Sequence, residues 1–163
     1  PYFIKEKNIK LFTEAHVLTE TEIFSRYEII LESYCKVIGI EANTMLDMAK
    51  KDILPAVSAY SKELADTAIA KHSLIKDCAC SYEEEIVKEI SELTSELYKA
   101  VKALEDAVDK ATESDVLKLA LYYKDVILPA MDAVRTPADK LELITAKKYW
   151  PFPTYGDLLF GVR

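Results

Sequence analysis

The chain has 163 residues, of which half are hydrophobic and 30% are charged. This length and balance are typical of one globular domain with a sizeable core. The net charge of −7, without a concentrated basic face, argues against nucleic acids and anionic membranes as partners. The odd number of cysteines, three in all, favours a reducing, cytoplasmic environment over a disulfide framework.

The chain opens with a lead-in segment and then an amphipathic helix. Residues 1–18 show no sustained periodicity. Thr19, with Glu22 three residues later, has the spacing of a capping box. Apolar residues then recur at intervals of three and four, which predicts a helix over about 20–38. Gly39 is expected to end or bend that helix.

A second periodic run predicts a helix over about 41–71. Pro55 lies inside it, and a proline there removes one backbone hydrogen bond and is expected to kink the helix. Residues 72–80 lose the period and are predicted to form a loop.

The next helix is predicted over about 82–111. Ser81 and Glu84 have the spacing of a second capping box. Several apolar residues of the helix keep a repeat near seven, which indicates lengthwise packing on a neighbouring helix.

A further helix is predicted over about 115–135, with Ser114 as its N-cap and a kink at Pro129. The pair Thr136-Pro137 is expected to interrupt it and to begin a final helix that ends near residue 148.

The tetrapeptide Ile-Leu-Pro-Ala occurs twice, at 53–56 and 127–130. Either the chain carries a duplicated helical hairpin, or two long helices kink alike to wrap one core. The sequence leaves both interpretations open.

These patterns predict an all-α fold: an antiparallel bundle of four to five helices, two of them Pro-kinked, with a non-helical aromatic C-terminal tail. We expect a single helical domain over 1–163. It consists of a lead-in at 1–18, a bundle at 19–148 and a tail at 149–163.

The tail concentrates aromatic residues that are costly to leave in water. Trp150, Phe152, Tyr155 and Phe160 are therefore the predicted docking residues, against either the chain's own bundle or a partner. Two prolines restrict this segment and lower the entropy that it loses on docking.

No residue pattern assembles a catalytic, cofactor-binding or metal site. His16 and His72 lack the Glu-x-x-His partner that di-metal bundles use. Cys78 and Cys80 supply two thiols where a structural zinc site requires four ligands. A nucleotide would require a Gly-rich turn or an arginine clamp, and the sequence has neither.

The tail also resembles a known family. The run Lys148-Tyr-Trp-Pro-Phe-Pro-Thr-Tyr-Gly-Asp-Leu-Leu-Phe160 is similar to the extreme C-terminus of type III glutamine synthetases. Further segments agree in the same order along the chain: Ser25-Arg26-Tyr27-Glu28 with Tyr34, Ile40-Glu41-Ala42, Met45, Ile53-Leu54-Pro55-Ala56, Ser81-Tyr82-Glu83-Glu84-Glu85 and Leu128-Pro129-Ala130-Met131.

The resemblance implies that the chain is the C-terminal helical region of a larger cytoplasmic enzyme. Such enzymes are ligases of glutamine biosynthesis and nitrogen metabolism. They join ammonia to glutamate with ATP and Mg or Mn, and assemble as homo-oligomers of stacked hexameric rings. Their catalytic residues have no counterpart here, so we expect the chain alone to be catalytically silent. Its expected partners are the catalytic domain and neighbouring subunits, not nucleic acid or membrane.

The alternative from a different class is a free-standing helical protein-interaction module that uses the aromatic tail as its peptide ligand. The reading frame upstream of Pro1 would separate the two. Continuation into a large β-rich domain with clustered glutamates favours the enzyme fragment, and a start codon directly before Pro1 favours the adaptor.

Overall fold

The computed structural model describes residues 2–75, 77–153 and 155–161, and of Tyr155 only the backbone. The described residues form helices and no β-strand, which confirms the predicted all-α class. The seven α-helical segments are α1 (Glu6–Glu14), α2 (Glu20–Met48), α3 (Leu54–Leu74), α4 (Ser81–Asp109), α5 (Val116–Tyr122), α6 (Leu128–Ile144) and α7 (Tyr155–Phe160).

Two π-helical turns join these segments into longer helices. The turn Ala49–Ile53 connects α2 to α3, and the turn Tyr123–Ile127 connects α5 to α6. The described residues therefore form five helical rods, the longest of which runs from Glu20 to Leu74. At 1.5 Å per residue that rod is roughly 80 Å long.

Each π turn immediately precedes a proline that lies inside the rod. The Leu54 amide donates to the Ala49 carbonyl, five residues back, and the Leu128 amide donates to the Tyr123 carbonyl in the same register. A proline ring in an α-helix crowds the carbonyl four residues before it, and a widened turn relieves that crowding. The two Ile-Leu-Pro-Ala segments thus fold alike. The kinks expected at these prolines stay a prediction.

The prediction that the helix could end at Gly39 is wrong, because α2 continues through this residue to Met48. The glycine serves packing instead. A Cβ atom at Gly39 would lie 3.1 Å from the Tyr123 hydroxyl, a distance at which the tyrosine must give way. The absence of a side chain therefore lets the two rods approach closely.

The core forms around α4, which packs against α3 on one side and α6 on the other. Lys71 pairs with Glu83, and Lys50 pairs with Glu105, so α4 runs antiparallel to the long rod. On the other side the Tyr122 hydroxyl donates to the Ala107 carbonyl at 2.9 Å. The buried side chains of α4 recur every three or four residues: Ile90, Leu93, Leu97, Val101, Leu104 and Ala107.

Three local predictions were wrong at helix ends. The helix α6 continues through Pro137, because this proline is buried in the core and packing outweighs one lost hydrogen bond. Ser81 forms no capping box, since α4 begins with it and Cys80 takes the N-cap position without a side-chain cap. The N-cap of α5 is Asp115 rather than Ser114, and its carboxylate accepts from the Lys118 amide at 3.0 Å.

The tail is only partly non-helical, which corrects the prediction for 149–163. Residues 149–153 have no helix, whereas Tyr155–Phe160 form α7. Asp157 lies in the first turn of α7, where negative charge is favourable, and it accepts from the Lys147 ammonium at 2.7 Å.

Truncation of a leucine in the α4 core tests the packing. Leu97→Ala removes a fully buried side chain and is expected to lower the free energy of unfolding by about 2–5 kcal/mol. Leu143→Ala, at a leucine that is 85% exposed, is the matched control and should cost less than about 0.5 kcal/mol. Denaturant unfolding followed by circular dichroism measures both; equal losses would contradict the central position of α4.

Candidate interaction surfaces

The first candidate surface is the start of the aromatic tail, which lies against the bundle. Tyr149, Trp150 and Phe152 are half-buried and pack on the hydrophobic core. Trp150 and Phe152 also form an edge-to-face pair with ring centroids 6.1 Å apart. The tail therefore contacts this chain's own helices, one of the two sites on which it was predicted to dock.

An ionic clamp on α3 holds the tail. The Lys148 ammonium donates to both carboxylate oxygens of Glu63, at 2.6 and 2.9 Å, and the Tyr149 hydroxyl donates to the same carboxylate. These hydrogen bonds lower the pKa of Glu63, and the hydrogen bond from Lys148 has the largest effect. The Tyr149 ring also lies 5.5 Å from the Tyr60 ring.

Tyr60 connects the clamp to the core. Its ring is buried, and burial, followed by the hydrogen bond with Tyr82, raises its pKa to about 12. The two hydroxyl oxygens are 3.2 Å apart. Because Tyr60 stays protonated near neutral pH, this bond persists there and fixes the surface on which Tyr149 packs.

The predicted docking residues thus divide into two groups. The structure packs Trp150 and Phe152 against the bundle, and it leaves Phe160 81% exposed. The side chain of Tyr155 lies outside the described residues. A docking role toward another protein stays a prediction for all four.

The second candidate surface is a groove at the opposite end of the long rod, where α1 folds back on α2. The chain turns after α1 at His16, whose φ is 53°. The His16 amide donates to the Thr13 carbonyl, and the Val17 amide donates to the Phe12 carbonyl. This pair of bonds is a Schellman motif, with His16 in the position that glycine usually takes.

The start of α2 is fixed by the predicted capping box, which the structure confirms. The Thr19 hydroxyl accepts from the Glu22 amide, and the Glu22 carboxylate accepts from the Thr19 amide at 2.8 Å. Hydrogen bonds from Thr19 lower the pKa of Glu22, with a smaller contribution from the Arg26 charge. Arg26 therefore interacts with a residue of its own helix.

The groove has a volume of about 820 Å³ and is mostly apolar. Phe3 and Phe12 contact each other at one side in a tilted arrangement, with ring centroids 5.9 Å apart. The remaining apolar lining comes from Leu18, Ile29 and Ile30. The sequence pattern does not reveal this site, because Ile30 fits the apolar period of the predicted helix over 20–38, a period that indicates burial.

Metal-ligating side chains do not converge at either surface. Within the described residues, no group of three or more His, Cys, Asp or Glu side chains is placed to hold a metal ion.

In the described part of the chain, no helix combines the length and the apolar character that a bilayer span requires.

Fold and surfaces together define a helical module with apolar surface at both ends. Its first 72 residues match the family model of the glutamine synthetase C-terminal domain. Over its full length the chain is 38% identical to a glutamine synthetase of Butyrivibrio fibrisolvens, and over 95% of it is 33% identical to a type-3 glutamine synthetase of Dictyostelium discoideum. A glutamine synthetase of Bacteroides fragilis is 27% identical over 88% of the chain.

The chain spans only 20–23% of the length of these relatives. It thus matches the C-terminal region of glutamine synthetases, as the resemblance of the tail predicted.

The Glu63 clamp makes tail docking sensitive to acid. The pKa of Glu63 is lowered in the folded chain from its ordinary 4.5. The contribution of its carboxylate to the stability of the docked tail is therefore fully present above pH 4.5, and it is lost as the pH falls through the lower pKa of the folded chain. Below pH 4.5 we therefore expect Trp150, the only tryptophan, to emit at longer wavelength and to be quenched more readily by acrylamide.

Glu63→Gln should produce part of that emission change already at neutral pH. Asp139→Asn, which breaks the exposed pair with Arg135, is the matched control and should leave the emission unchanged. If Glu63→Gln has the emission spectrum of the wild type both at neutral pH and below pH 4.5, the clamp is refuted.

Proposed function

We propose that the chain is the non-catalytic C-terminal helical module of a glutamine synthetase. The observation that carries this proposal is the similarity of 88–100% of the chain to a region that makes up less than a quarter of each relative. The parent protein is then a glutamate–ammonia ligase that uses ATP with Mg or Mn, located in the cytoplasm. These cofactors bind outside the present chain.

Within that enzyme, the module packs on the catalytic domain or contributes contacts between subunits of a homo-oligomer. Its construction supports this role. The α4 core is shared between two long rods and needs no partner, whereas apolar residues at both ends stay exposed, among them Ile29, Ile30 and Phe160. Exposed apolar groups that lie together mark interaction surfaces, and a rigid rod can hold two such surfaces far apart.

Removal of the module tests the proposal directly. The full-length protein should form glutamine from glutamate, ammonia and ATP with Mg²⁺, and the isolated chain should form none. A deletion of residues 1–163 should lower the melting temperature or the assembly state of what is left, because surface that the module covers becomes exposed.

Activity assays and mass photometry on these proteins measure the outcome. Glutamine formation by the isolated chain would overturn the non-catalytic assignment. An unchanged melting temperature and assembly state after the deletion would overturn the packing role.

A further inference from the structure

We propose that the groove between α1 and α2 is the docking surface for the part of the same polypeptide that precedes this module. The proposal rests on the function proposed above and adds the surface and its occupant. The groove is lined by Phe3, Phe12, Leu18, Ile29 and Ile30, with Glu22 and Arg26 among its polar residues.

Helix α4 does not reach this groove. Lys50 pairs with Glu105 near the end of α4, and only about 6 Å of α4 follow that point, whereas roughly 45 Å of α2 extend beyond it in the same direction. The first turns of α2 therefore project past the end of α4. Helix α1 packs on this end of α2, and in the described part of the chain Ile29 and Ile30 are still 58% and 60% exposed.

The apolar surface continues along α2 beyond the groove. Val37 and Ile40 are exposed, and they follow Ile30 at intervals of seven and three, which places all three on one face of the helix. From Ile29 to Ile40 this face is about 16 Å long. Exposed apolar residues that lie along one helix face in this way mark an interaction surface.

Three observations indicate the preceding region as the occupant. The relatives carry more than three quarters of their length outside the matched region, which is C-terminal. Phe3 itself lines the groove, so a region joined to the start of the module is tethered beside the groove at high effective concentration. Residues 1–72, which match the family model, include every residue of the groove.

The test introduces one charge into the groove of the full-length protein. Ile30→Glu places a carboxylate on the apolar floor, where burial would leave it unpaired. Ile69→Glu is the matched control: the same substitution, on the same rod, at an isoleucine that is 67% exposed and about 58 Å away along the helix. Ile30→Leu, which keeps the apolar volume, is the conservative variant.

The readout is the rate of limited proteolysis in the segment that precedes α1, followed by mass spectrometry. Undocking exposes that segment, so Ile30→Glu should raise the cleavage rate at least about tenfold, a change in the docking equilibrium equivalent to about 1.4 kcal/mol. Ile69→Glu and Ile30→Leu should cleave at the wild-type rate. Circular dichroism of each variant checks that the helices are retained.

Two results would overturn the inference. If Ile30→Glu is cleaved like the wild type, or if Ile69→Glu is cleaved as fast, the groove is not the docking surface. If the isolated chain dimerises and only Ile30→Glu makes it monomeric, while the full-length protein is unaffected, the occupant is a second copy. These results do not test the proposed function itself. The deletion experiment tests it, and that experiment does not depend on the groove.

Discussion

The buried face of α4 is the constraint on which the rest of the structure depends. Its apolar residues are buried on both flanks, so α3 and α6 must lie along it in antiparallel register. Because α4 is only about half as long as the rod from Glu20 to Leu74, part of that rod extends beyond α4. The free end becomes the arm that carries the groove.

The opposite end of the bundle is closed by the chain itself. The tail returns over α3, where Glu63 holds Lys148 and Tyr149 and the Trp150–Phe152 pair covers the core. The two ends therefore differ in kind. At the groove end, the described residues leave an apolar surface exposed. At the tail end, they cover most of the apolar segment, apart from the exposed residues of α7.

The amphipathic pattern of α4 made this helix predictable from sequence, because its aliphatic core residues lie on one face and pack against neighbouring helices. The helix ends predicted at Gly39 and Pro137 were wrong because local rules consider only the backbone preferences of these residues. At Gly39 the deciding factor is the close approach of Tyr123, and at Pro137 it is burial in the core. Neither tertiary contact is visible in a local window of sequence.

The tail was identifiable from composition alone, since an aromatic segment with two prolines is rare in a helical chain. Its clamp was not, because Glu63 and Lys148 are 85 residues apart. The groove was also hidden. Ile30 has the spacing of a core residue, but it lies on the part of the Glu20–Leu74 rod that extends beyond α4, and there it is exposed.

The most direct test of the whole account is hydroxyl-radical footprinting of the full-length protein beside the isolated chain. If the chain is a module whose arm docks on the preceding region, Phe12 and Ile30 should be oxidised several-fold more slowly in the full-length protein. Tyr98, exposed in the middle of α4, provides the reference rate in each sample. Equal oxidation of Phe12 and Ile30 in the two proteins, relative to Tyr98, would contradict the account.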